Sequence, residues 1–117
     1  MDTIKRKRFK TYAGVGCPVE ASLEMFGGKG KGVILFHLME GTLRFNELKR
    51  RMETVSQRML TKQLRELEQQ GLVHREVYPE VPPKVEYSMT ETGRTLEPIL
   101  QQLKVWGEKY ALPKLNG

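Results

Sequence analysis

The sequence predicts a mainly α-helical fold with one small β-hairpin set ahead of the last helix. Two patterns carry that expectation. Apolar residues recur at helical spacing through much of residues 18–70 and again from Leu96 to Tyr110. Between these stretches, Val73, Arg75 and Val77 alternate with His74, Glu76 and Tyr78. Val85, Tyr87 and Met89 alternate again after a Pro-Glu-Val-Pro-Pro turn, so two strands are expected. A length of 117 residues fits one domain around one core.

Residues 1–16 are polar, with five basic residues and one acid, and read as a flexible basic arm. Pro18 stands at the first position of a helix with Cys17 as its N-cap. Val19, Leu23 and Phe26 give this helix one apolar face, and Gly27-Gly28 ends it. A second helix is expected from about Lys31 to Met39. Its Val-Ile-Leu-Phe run predicts burial almost all round, and Gly41 closes it. The segment Leu43–Phe45 is long enough only for a minor strand. Phe45, Leu48 and Met52 then mark a short third helix.

Glu53-Thr54-Val55 makes a tight connection to a fourth helix, capped by Ser56 and reaching about Gln70. Val55 and Leu60 hold the positions of a hydrophobic staple, and Gly71 suits the residue after the helix end. The prolines at the hairpin tip prevent the ladder from continuing. Thr90 caps a final helix that Pro98 must bend or restart. Leu96, Ile99, Leu103, Trp106 and Tyr110 form a heptad-like stripe along it. The expected domain spans residues 17–112, with a frayed tail at 113–117.

Two short helices joined by a tight turn, the second one basic, followed directly by a hairpin, describe a winged helix-turn-helix. The net charge is +6, from 20 Lys and Arg against 14 Asp and Glu. The excess is focused: residues 44–65 carry seven basic residues and two acids, while Glu66 to Met89 is net acidic. On a wheel of the fourth helix, Leu60, Leu64 and Leu67 form one stripe and Arg58, Lys62 and Arg65 lie opposite, flanked by Thr61. Gln57 and Ser56 stand at its leading end. Such a face suits the major groove of DNA, where Arg forks onto guanine and Gln pairs with adenine. The helix N-terminus at Ser56 suits a phosphate. Arg44 and Lys49 are placed to clamp the backbone, and Arg75 and Lys84 sit on the wing. The plainer alternatives are a solvated charged face and a Lys84 that only keeps the hairpin soluble. A winged-helix protein-interaction module with an acidic partner is the competing reading of the basic face.

The stripe of Leu96, Ile99, Leu103, Trp106 and Tyr110 predicts a homodimer interface, or else packing against the first helix. Paired helices would read half-sites about 34 Å apart. Cys17 is the single cysteine, which excludes an intrachain disulfide and fits a reducing, cytoplasmic setting. Its place at a helix N-terminus favours a reactive thiolate, opposed by Glu20; an inert thiol is the alternative. No apolar run approaches the about 20 residues that cross a bilayer, and the basic start is not a signal peptide. His37 and His74 are far apart and predict no metal site. Gly27–Gly32 lacks the spacing of a phosphate-binding loop and reads as a helix break. No nucleophile–base pair can be assembled, so neither an enzyme nor a cofactor is expected.

CPVEASLEMFGGKGK, LRFNEL, the run from Ser56 to Gly93 and the closing WGEKY together resemble the HxlR family of bacterial transcriptional regulators, relatives of MarR. The resemblance covers about residues 17–110. It implies a dimeric winged helix that binds operator DNA as a repressor, more than as an activator, through the helix from Ser56 and the wing, with the terminal helices at the dimer interface. It also implies that a cysteine at the position of Cys17 can sense electrophiles or oxidants. One departure stands out: the family pattern has tryptophan after Gly-Gly-Lys, where this chain has Gly30. Loss of so large a ring predicts looser packing between the first two helices.

Overall fold

The computed structural model describes residues 16–28 and 30–117; all but Gly16 of the expected basic arm lies outside the described residues. Helix α1 (Pro18–Phe26) leads into α2 (Lys31–Leu38), and strand β1 (Leu43–Arg44) into α3 (Phe45–Arg51). Helix α4 (Gln57–Gln69) is followed by the hairpin β2 (Val73–Tyr78) and β3 (Lys84–Met89). The chain ends in α5 (Glu91–Arg94), α6 (Glu97–Trp106), a π-helical turn (Gly107–Ala111) and α7 (Leu112–Asn116).

The core lies where α2, α3, α4 and the base of the hairpin meet. Ile34, Leu35 and Leu38 of α2 join Leu48, Leu60, Leu64 and Leu67, closed below by Val73, Tyr87 and Met89. Burying each such aliphatic side chain contributes about 1.5–3 kcal/mol, so the leucine stripe of α4 holds that helix to the domain. Val55, partly buried, packs against the same cluster.

Both ends of α4 are set locally. The Ser56 hydroxyl accepts the Met59 N–H at 3.1 Å. At the other end Gly71 adopts φ +75°, a conformation costly for other residues. The Leu72 N–H then reaches Leu67 O at 3.0 Å and the Gly71 N–H reaches Glu68 O at 3.1 Å, a Schellman closure. This sharp stop delivers the chain straight into β2.

The antiparallel sheet has the order β1-β3-β2, with Leu43 opposite Tyr87 and Val73 opposite Met89. An isolated hairpin is marginal in water. Here β1 and the core pin its base, while its tip projects with Val81 fully exposed.

The structure departs from the sequence reading at the surface of the helices. Only Phe26 of the α1 face is buried; Val19 and Leu23 are 66% and 56% exposed. Val33 of α2 is also exposed, because it faces an open groove rather than the core. The final helix is two pieces, broken at Thr95-Leu96. Thr90 caps only α5, accepting the Gly93 N–H at 3.0 Å, and the chain restarts with Pro98 in the first turn of α6. The tail expected to fray is helical, as α7. The preceding π turn, closed by Leu112 N–H to Gly107 O, carries the helix up to Pro113, which has no N–H to donate.

Candidate nucleic-acid interface

Because Leu60, Leu64 and Leu67 face the core, helical geometry turns Gln57, Arg58, Thr61, Lys62 and Arg65 to solvent, where they line one shallow hollow. The adjoining hollow is lined by Thr61, Arg65 and Glu68 together with Arg75 and Tyr87 of the hairpin. The fold thus joins the leading face of α4 to the wing through the Arg65–Arg75 neighbourhood. Thr61 Oγ1 donates to Gln57 O at 2.8 Å.

Ion pairing separates the cations. Arg58, Lys62, Arg65 and Arg75 make no ion pair among the described residues. Glu66, on the same helix, is turned to Lys31 at 3.1 Å, and Arg51 is held by Glu40 at 2.9 Å. On the wing, Lys84 lies 3.6 Å from Glu86 and 4.7 Å from the centre of the Tyr78 ring. Hydrogen bonding to Glu86, with that residue's charge, raises the Tyr78 pKa above its usual 10. The wing's two cations therefore differ: Lys84 is engaged within the hairpin, whereas Arg75 faces α4.

Arg44 and Lys49 stand off α4. Arg44 is exposed on β1, its N–H donating to Glu47 Oε1 at 2.8 Å; Lys49 is half-buried in the last turn of α3. Of the terminal stripe, Leu96 packs against the core, while Ile99, Leu103, Trp106 and Tyr110 are exposed; the last two rings are 5.5 Å apart. Leu100, outside that stripe, is the residue of α6 that enters the core. Cys17 is a half-buried free thiol at the N-cap of α1 and makes no side-chain cap.

His37 is half-buried beside the Phe36 ring, and burial, then the positive charge of Arg51, lowers its pKa, with Glu40 opposing. His74 is exposed and lies 2.8 Å from Glu76. No group of three His, Cys, Asp or Glu side chains gathers as a metal site among the described residues, and no helix there is long and apolar enough to cross a membrane.

Sequence reasoning missed Gln63. It is the one polar side chain buried among the described residues, on the inner face of α4 between the leucines. Its spacing, three after Leu60 and four before Leu67, was the available signal, masked by its polarity. Its amide fills the space beside Gly30 that any side chain there would need. This amide therefore lies beside the position where the family pattern has tryptophan.

A basic helix seated by leucines, entered by a tight turn and followed by a wing, defines a DNA-binding transcriptional regulator of the winged helix-turn-helix class. The chain belongs to the HxlR family, whose HxlR-like helix-turn-helix model matches residues 25–114. It is 61% identical over 95 residues to the HTH-type transcriptional regulator YdeP of Bacillus subtilis (strain 168), covering 81% of this chain and 74% of that protein. Among solved structures it is similar to the redox regulator HypR in its oxidised form, with TM-score 0.77, 61% identity and coverage of 80% of this chain and 96% of that one. It is also similar to the reduced form of the regulator YodB from B. subtilis, with TM-score 0.71, 38% identity and coverage of 83% and 96%.

Proposed function

We propose that this chain is a cytoplasmic homodimeric repressor that reads operator half-sites with α4 in the major groove. The observation that carries the reading is that Arg58, Lys62 and Arg65 form no ion pair among the described residues, on a helix whose Glu66 is bound to Lys31. These donors are free for bases and phosphates, with Arg58 and Gln57 at the leading turn, Ser56 at the helix N-terminus and Thr61 beside them. Arg65 and Arg75 grip the backbone between helix and wing, with Arg44, Lys49 and Lys84 at the periphery.

Dimerisation is supported by exposed apolar surface. Leu23, Val33, Phe36, Leu103 and Leu112 line a groove between α1, α2 and the terminal helices, and Ile99, Trp106 and Tyr110 of the same terminal segment are also exposed. A second copy offers the same surface, as a two-fold interface requires.

Cys17 is assigned as a redox switch. Support comes from its half-buried place at the N-cap of α1 and from the likeness to a protein described as a redox regulator. Its thiol can add to a quinone, or two chains' thiols can pass two electrons and two protons to diamide and form one interchain disulfide.

Selection of duplexes from a random pool tests the central reading. The expected result is enrichment of a sequence with two-fold symmetry, bound with a steep inverse salt dependence. No enrichment, with capture of an acidic protein instead, would establish the interaction-module reading. Diamide treatment of wild type and Cys17→Ser tests the switch: operator release is expected in wild type alone, and equal affinity before and after treatment rules it out.

A further inference from the structure

Gly30 precedes α2 at φ −136°, ψ −22°, so nothing in its backbone demands glycine. Helix N-caps favour Ser, Asp or Asn, which would satisfy an N–H there. The atoms that a side chain there would meet come from α4 and are the far end of the Gln63 side chain. A Cβ on Gly30 would collide with Gln63 Oε1 and stand 2.8 Å from Gln63 Cδ. Gln63 is 7% exposed, and its Oε1 is buried without a hydrogen-bond partner among the described residues. A leucine or methionine would fill the site without stranding a carbonyl, so the amide costs stability here.

We infer that Gln63, wedged against Gly30, is a positioning residue that sets the seating of α4 on α2 and thereby the aim of the DNA-facing side chains. The inference rests on the proposed role of α4. The contact sits at the start of α2, one turn from the Lys31–Glu66 pair that ties the same two helices. Gln63 directly follows Lys62, so its displacement is transmitted to Lys62 and, one turn either side, to Met59 and Leu67. A cavity of about 280 Å³ opens beside it, between the Gly27-Gly28 turn and Met59 and Lys62. A side chain at position 30 would drive the amide toward that space and change how α4 rests. Positions 30 and 63 therefore act as one unit, and neither has a separable effect on recognition.

The test is a double-mutant cycle read on the selected operator and on random duplex, with thermal unfolding alongside. Gly30→Ala and Gln63→Ala should each weaken operator binding about tenfold while random-duplex affinity stays within about twofold. Gly30→Ala with Gln63→Ala should bind more tightly than Gly30→Ala alone, because the new methyl occupies the room the amide leaves. Gln63→Met, of equal length and without the stranded oxygen, should keep wild-type selectivity and melt higher. Single variants with wild-type selectivity, a double variant as weak as the product of the singles, or Gln63→Met as weak as Gln63→Ala would each overturn the inference. If Gly30→Ala does not fold, the double variant decides: recovery of a selective, folded protein is expected, and failure to recover refutes it. Arg58→Ala is the control arm. Loss of selectivity there with none in the cycle refutes the positioning role alone; no loss in either refutes the α4 reading as well.

Discussion

Ser56 joins the fold and the proposed interface, and two substitutions separate its roles. Ser56→Ala deletes the bond to the Met59 N–H at 3.1 Å, on an exposed helix end where water can replace it in part. Caps of this kind contribute about 1 kcal/mol, within a range of about 0.5–2. For a chain of this length, that lowers Tm by about 4 °C. Ser56→Asp keeps an acceptor for the same N–H and adds a negative charge that suits the positive end of the helix dipole. Its Tm should therefore match or exceed that of wild type. Against DNA the same charge faces a phosphate. A hydrogen bond to a charged group is worth about 1.5–3 kcal/mol, so its loss alone weakens operator binding about 10–150-fold. Thermal unfolding by circular dichroism and operator titration by fluorescence anisotropy read the two effects separately. Wild-type operator affinity in Ser56→Asp would refute a phosphate at this helix end, and an unchanged Tm in Ser56→Ala would refute the cap.

Arg58→Ala should leave Tm within about 0.5 kcal/mol equivalent of wild type, since Arg58 has no ion-pair partner among the described residues to strand. It should cost about 1–3 kcal/mol of operator binding and relax preference at one base position; unchanged selectivity would place Arg58 off the bases. Glu86→Gln removes the charge 3.6 Å from Lys84 and should strengthen binding, steepening the logarithmic salt slope by about 0.9. An unaltered slope would put the wing lysine away from phosphates. His37 gives a pH dependence. Its pKa in the folded chain lies below the ordinary value of 6.5, so the fold favours the neutral ring. The stability it adds is complete above that value and is lost as pH falls through the lowered one. His37→Gln should flatten the fall of Tm between about pH 7 and pH 5; parallel curves would show that His37 does not drive it.

Much of this protein was legible because its signals are local. The turn and cap at Ser56, the glycine stop at Gly71, the leucine stripe of α4 and the strand alternation all follow from spacing and backbone chemistry within a few residues. The opposition of Leu60, Leu64 and Leu67 to Arg58, Lys62 and Arg65 is likewise a property of one helix, and the structure keeps it. The terminal helices were read less well. Apolar periodicity marks a face that avoids water without saying what covers it: Val19 and Leu23, read as one face of a helix, are exposed in this chain, as are Ile99, Leu103 and Trp106, read as a dimer interface or as packing against the first helix. The break at Pro98 was visible, but the π turn before Pro113 was not, because it depends on how successive carbonyls are shared.

The sequence by itself therefore determined the order of elements and the charged face of the recognition helix, both fixed by covalent geometry and short-range spacing. Only the tertiary structure decided which charges remain unpaired. Lys31 meets Glu66 across helices and Lys84 meets Glu86 along one strand, while Arg58, Lys62 and Arg65 form no ion pair among the described residues. Only the structure, too, brought Gln63 against Gly30, positions 33 residues apart in the sequence that share one close-packed space.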